Sequence, residues 1–171
     1  MVQGPVRGHC VELHPRWRNR VSAKRFESNL VRAKSKAYIP VPFDPNEAWG
    51  WKIRHYVKGA VGGCSIRGLL RAQDDGYILP LGAAWLRDNV IPSTATIGVI
   101  LEPDGPQSEA LAEDIAHALN ASPEAETFFQ SVAPFYRKNF LRWIDQAKRP
   151  ETRAARIAEM VQMLEVGKLK G

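Results

Sequence analysis

The chain has 171 residues, 44% of them hydrophobic and 25% charged, with a net charge of +6. Its longest apolar runs fall far short of the roughly 20 residues needed to cross a bilayer, which excludes a membrane-spanning role. A chain of this length folds as one domain or two small ones around a real core, burying about 70% of its unfolded surface.

The positive charge is concentrated at the start. Residues 1–36 hold nine Lys or Arg against Glu12 and Glu27, a net +7, and the remaining 135 residues sum to −1. The opening MVQGPVRGHCVELHPRWRNR has no apolar h-region and no small-residue cleavage site, so a cytoplasmic address is expected. Residues 1–24 read as a basic tail. As a structural element it would be no more than a solvated extension. Its functional role would be nucleic-acid binding through Arg16, Trp17, Arg18, Arg20, Lys24 and Arg25, because arginines neutralise phosphates and an aromatic among them can stack on a base. His9, Cys10 and His14 lack a fourth ligand, so no metal and no cofactor are expected there. Cys10 and Cys64, the only cysteines, form neither a disulfide framework nor a zinc signature.

From Lys24 the period is two. Phe26, Ser28 and Leu30, then Tyr38 to Pro42, read as extended segments, with the prolines implying an edge or a strand end. Asp44-Pro45-Asn46-Glu47 starts a helix of about one turn before Gly50, with Asp44 as N-cap and Pro45 at the first helical position. Ile53, His55, Val57 and Val61 predict a half-buried strand, Gly62-Gly63 a primed two-residue turn, and Cys64 to Leu70 its hairpin partner. Asp74-Asp75-Gly76 marks the next reversal; these aspartates read as turn formers rather than catalytic acids. Tyr77 to Leu81 is another strand, Gly82 to Asn89 a short helix presenting Trp85 and Leu86, and Thr96 to Glu102 the last strand. About six short strands with frequent turns indicate a small barrel or sandwich over residues 25–103.

At Pro103-Asp104-Gly105-Pro106 the grammar turns helical, and residues 104–171 predict a bundle of about four helices. Ser108 caps a first helix with the stripe Leu111, Ile115, Ala118 and Leu119. Ser122-Pro123-Glu124 opens a second, ending near Val132. Pro134 opens a third, with Tyr136, Phe140, Trp143, Ile144 and Ala147 on its apolar face. Pro150 opens a fourth, with Ala154, Ile157, Ala158, Val161 and Leu164 inward and Gly167 closing it. Residues 108–133 carry five acids and no Lys or Arg, whereas residues 134–171 carry nine bases against four acids, so the two helix pairs should attract. The fold class is α+β.

VPFDPNEAWG, the Val61-Gly62-Gly63 hairpin, Gly76-Tyr77-Ile78-Leu79-Pro80 and, above all, RWIDQAKRPETRAARIAEMVQML together resemble the bacterial YdeI/OmpD-associated family. The resemblance covers about residues 25–168. It implies a small double-split β-barrel domain of unknown function followed by a helical OmpD-associated domain, in an accessory protein linked to bacteriocin or cationic-peptide resistance and to an envelope partner. Where relatives carry a Pro-Gly-Asp turn before the last strand, this chain has Pro92-Ser93-Thr94-Ala95.

No nucleophile, base and orienter set is legible, so an enzyme is not expected. The strongest binding candidate is the basic stripe Lys138, Arg142, Lys148, Arg149, Arg153 and Arg156, since guanidinium groups match carboxylate and phosphate geometry. The alternative is a solvated face paired with the acidic first helices. A non-enzymatic binding protein with a protein or envelope-component partner is the leading reading, and a nucleic-acid binder using the basic arm and an AbrB-like barrel is the alternative.

Overall fold

The computed structural model describes residues 22–34, 36–74, 76–92 and 96–170. The chain divides into two compact units, strands with two short helices up to Pro103 and helices from Asp104 onward, with the segment Lys52–Tyr56 belonging to the second unit.

The first unit runs β1 (Lys24–Ser28), β2 (Val31–Ala33), β3 (Lys36–Val41), α1 (Pro45–Trp49), β4 (Tyr56–Val61), β5 (Cys64–Leu69), β6 (Arg71–Gln73), β7 (Gly76–Leu81), α2 (Ala83–Asp88) and β8 (Ile97–Pro103). They form two four-stranded antiparallel sheets, ordered β1-β8-β4-β5 and β2-β3-β7-β6. Ile39, Val57, Leu79, Val99 and Leu101 fill one core between them. Among the described residues eight strands stand where about six were expected. The additions, β2 and β6, have only three residues each, and β6 is exposed throughout, so neither can show a period. Ile53 is exposed and outside any strand, which corrects the expected start of the fourth strand to Tyr56.

Local chemistry explains the turns. Gly62 and Gly63 both have positive φ (57° and 81°), the requirement of a type I′ hairpin. Asp44 accepts from the Asn46 N–H at 2.7 Å and caps α1. Pro40 lies in β3 between two neighbours rather than at an edge, but β2 pairs only as far as Tyr38, so the missing N–H breaks no ladder there. Cys64 is buried and disulfide-bonded, which corrects the expectation that the cysteines form no such bond; Cys10 lies outside the described residues.

The unit is an internal duplication with a spacing of 40 residues. β1-β2-β3-α1-β4 is repeated as β5-β6-β7-α2-β8, and Lys36–Val41 becomes Gly76–Leu81. Ile39 pairs with Leu79 and Ala60 with Ile100, so equivalent residues face each other at the centre of both sheets. Lys34 and Asp74, also equivalent, are the two non-glycine residues with positive φ among those described (54° and 47°). The Trp49 and Trp85 indole N–H groups donate to the carbonyls of Ser22 and Ser65, each beside or within the first strand of its own half. The halves are interlocked, because β1 pairs with β8 and β5 with β4.

The second unit holds a 3-10 turn (Ser108–Ala110) and four helices, α3 (Glu113–Asn120), α4 (Pro123–Ser131), α5 (Pro134–Asp145) and α6 (Pro150–Glu165). Prolines at the starts of α4, α5 and α6 set each entry, and the Ser122 hydroxyl accepts from the Ala125 N–H. Ser108 caps no α-helix; α3 starts five residues later. Ile115, Leu119, Phe129, Phe140, Ile144, Met160 and Leu164 make the core. Ala154 and Ala158 are exposed, and Met160 takes the inward position expected for alanine. α6 closes at Gly167 (φ 68°), whose N–H reaches the Leu164 carbonyl while that of Lys168 reaches Met163, a Schellman end.

Candidate binding surface on the helical unit

α5 and α6 place the six candidate cations in different environments. Arg153 is committed to the fold. Its Nε and Nη2 donate to the two Asp114 carboxylate oxygens at 2.6 and 3.0 Å, and Nη1 to Asp145 at 2.9 Å, tying α6 to α3 and to the end of α5. The hydrogen bonds from Arg153 hold the Asp114 carboxyl below its ordinary value, and Asp114 and Asp145 raise Arg153 in turn. Arg156 donates to the Trp143 carbonyl and lies 5.4 Å from the centre of its ring. The Lys170 ammonium is 3.6 Å from the same ring.

The other four stay available. Lys138, Arg142, Lys148 and Arg149 are exposed, and among the described residues none of their side chains has a hydrogen bond or ion pair. Lys138 and Arg142 stand one turn apart on α5, and Lys148 and Arg149 form the corner before α6. Of the nucleic-acid candidates, Lys24 and Arg25 are exposed on β1, and Arg16, Trp17, Arg18 and Arg20 lie outside the described residues, as do His9, Cys10, His14 and residues 93–95. Among the described residues no group of three His, Cys, Asp or Glu could hold a metal ion.

The charged residue that sequence reading missed is Arg137. It is 2% exposed, its Nη1 donating to the Pro106 carbonyl at 2.7 Å and its Nη2 to that of Asp104 at 2.8 Å. Burial pulls its pKa down, against Asp104 and Tyr56. Gln107 donates to the carbonyls of Asp104 and Gly105 and accepts from Lys52, so the start of the unit is stapled from three sides. The available signal was spacing: residues 137, 140 and 144 share one helix face, and the other two are core.

The strand unit offers a cavity of about 630 Å³, with Phe43, Asp44, Asp74 and Tyr77 among its lining. Both acids serve the backbone, Asp44 as helix cap and Asp74 as a turn residue. The Tyr77 hydroxyl accepts from Asn46. Among the described residues of its lining no nucleophile is paired with a base.

Residues 26–99 match a family model described as a domain of unknown function (DUF1905). Residues 110–167 match one described as Bacteriocin-protection, YdeI or OmpD-Associated. No curated protein matches the chain.

Proposed function

We propose that this chain, a DUF1905 domain followed by a YdeI/OmpD-associated domain, is a non-enzymatic accessory protein that holds an acidic protein partner against the basic corner of its helical unit. The observation that carries the reading is the division of labour among its cations. Arg153 and Arg156 are satisfied within the unit, whereas Lys138, Arg142, Lys148 and Arg149 are exposed without a partner among the described residues. Long cationic side chains left in water contribute little to stability, and their clustering favours association with an anionic surface. On this reading, the bacteriocin protection named by the family description is exercised through binding. The absence among the described helices of any long and apolar enough to cross a membrane is compatible with it.

The test uses poly-glutamate as an acidic probe and duplex DNA as a second, each at low and physiological salt. Reversing Lys138, Arg142, Lys148 and Arg149 to Glu should weaken poly-glutamate binding at least about tenfold and leave the melting temperature unchanged, because these are solvated positions. Equal binding by the variant would overturn the proposal. Tight, salt-sensitive DNA binding that the variant retains would move the function to the basic arm.

A further inference from the structure

The helical unit also contains a cavity of about 340 Å³, walled by the segment around Tyr56, the corner between α4 and α5, and Leu169 near the C-terminus. That volume lies within the range of small-ligand pockets. Phe128, Val132 and Leu169 supply apolar wall, and Tyr56 and Tyr136 add two phenols. Among the described residues Arg54 is the one charged residue of the lining, which includes no Asp or Glu. It is exposed and, among the described residues, has neither a hydrogen bond nor an ion pair.

Two further observations give the cavity a polarity and a reason to be filled. The buried Arg137 guanidinium lies near Tyr56 but is faced by Asp104, so the unbalanced charge at the cavity is that of Arg54. Ile53 and Leu169, which also line the cavity, are 59% and 37% exposed. Apolar rim, aromatic wall and a single guanidinium are the requirements of a ligand with an apolar body and one anionic head. A multiply charged phosphate would want several cations and no greasy wall.

We propose that this cavity is a binding site for a small amphipathic carboxylate, its acyl or aryl body against Phe128, Val132 and Leu169 and its carboxylate on Arg54. The site is separate from the basic corner formed by Lys138, Arg142, Lys148 and Arg149.

The experiment is calorimetric titration of the full chain with octanoate and 2-naphthoate, and with octanamide as the uncharged control. Octanoate or naphthoate should bind saturably, and octanamide more weakly. Arg54→Met should cost the carboxylates about tenfold in affinity and leave octanamide unchanged, since only the charge-assisted bond is removed. Arg54 has no structural partner, so its loss should not disturb folding. The Glu-reversed basic corner should bind octanoate as wild type does, which separates this site from the proposed partner surface. No saturation by either carboxylate, or affinities that Arg54→Met leaves unchanged, would overturn the proposal.

Discussion

Arg137 is a buried cation whose partners include main-chain carbonyls, and that decides what its removal does. Replacing a buried ion pair with apolar residues can be neutral when both partners go. Here the carbonyls of Asp104 and Pro106 cannot be substituted, so Arg137→Met takes the side-chain donor from the Pro106 carbonyl and leaves that of Asp104 with the weaker Gln107 contact alone. A loss of about 2–4 kcal/mol is expected, read from the denaturant midpoint of the helical signal. Lys138→Met, one residue along and exposed, should change it by less than about 0.5 kcal/mol. Matching midpoints for the two variants would show that Arg137 is not a clamp. In the sequence the Arg-Lys pair looks like two solvated cations. Only its phase against Phe140 and Ile144 distinguishes the first from the second.

At the level of elements, the sequence was most readable where one residue type answers one geometric need. The prolines opening α4, α5 and α6, the Ser122 cap and the Gly62-Gly63 turn are of this kind. It was least readable where the residue is indifferent. Alanine tolerates either side of a helix, so Ala154 and Ala158 could not report which face of α6 turns inward, and flexible Met160 filled the gap instead. The basic stripe was visible as a set, but its split into structural and free members depends on acids distant in sequence, Asp114 above all. Because Asp114 titrates below its ordinary value of 3.8 when folded, its tie to Arg153 stabilises fully above that value and is lost as pH falls through the lower, folded one. The melting temperature of Asp114→Asn should therefore lie below wild type at pH 7, with the gap closing in acid below pH 3.8 as wild-type Asp114 protonates. A gap that persists undiminished at the acid end would mean that Asn disrupts the site for another reason. The pair is solvent-screened, so the effect should also shrink with salt.

At the scale of the whole chain, the 40-residue duplication of the strand unit escapes sequence reading because the repeat preserves position and burial rather than identity. Across residues 24–61 and 64–101 only Leu30 with Leu70 and Pro40 with Pro80 are identical, yet Ile39 with Leu79, Val41 with Leu81 and Val57 with Ile97 are all buried in both halves. The symmetry fails at Gly59, whose equivalent is Val99. Built onto Gly59, a Cβ would sit 1.8 Å from the Ile100 carbonyl oxygen, so β4 approaches β8 too closely for any side chain. Its backbone has an ordinary negative φ, and the constraint is therefore space rather than conformation. Gly98, on β8 itself, has nothing within 4 Å of the same virtual atom. Gly59→Ala must then push apart the two strands that join the halves, with a loss of at least about 3 kcal/mol or no cooperative thermal transition of the strand unit. Gly98→Ala should stay within about 1 kcal/mol of wild type, since it adds only a methyl in open space. Two similar melting curves would place the tolerance of β4 elsewhere than in its contact with β8; a loss confined to Gly59→Ala would locate the join of the two halves at that crossing.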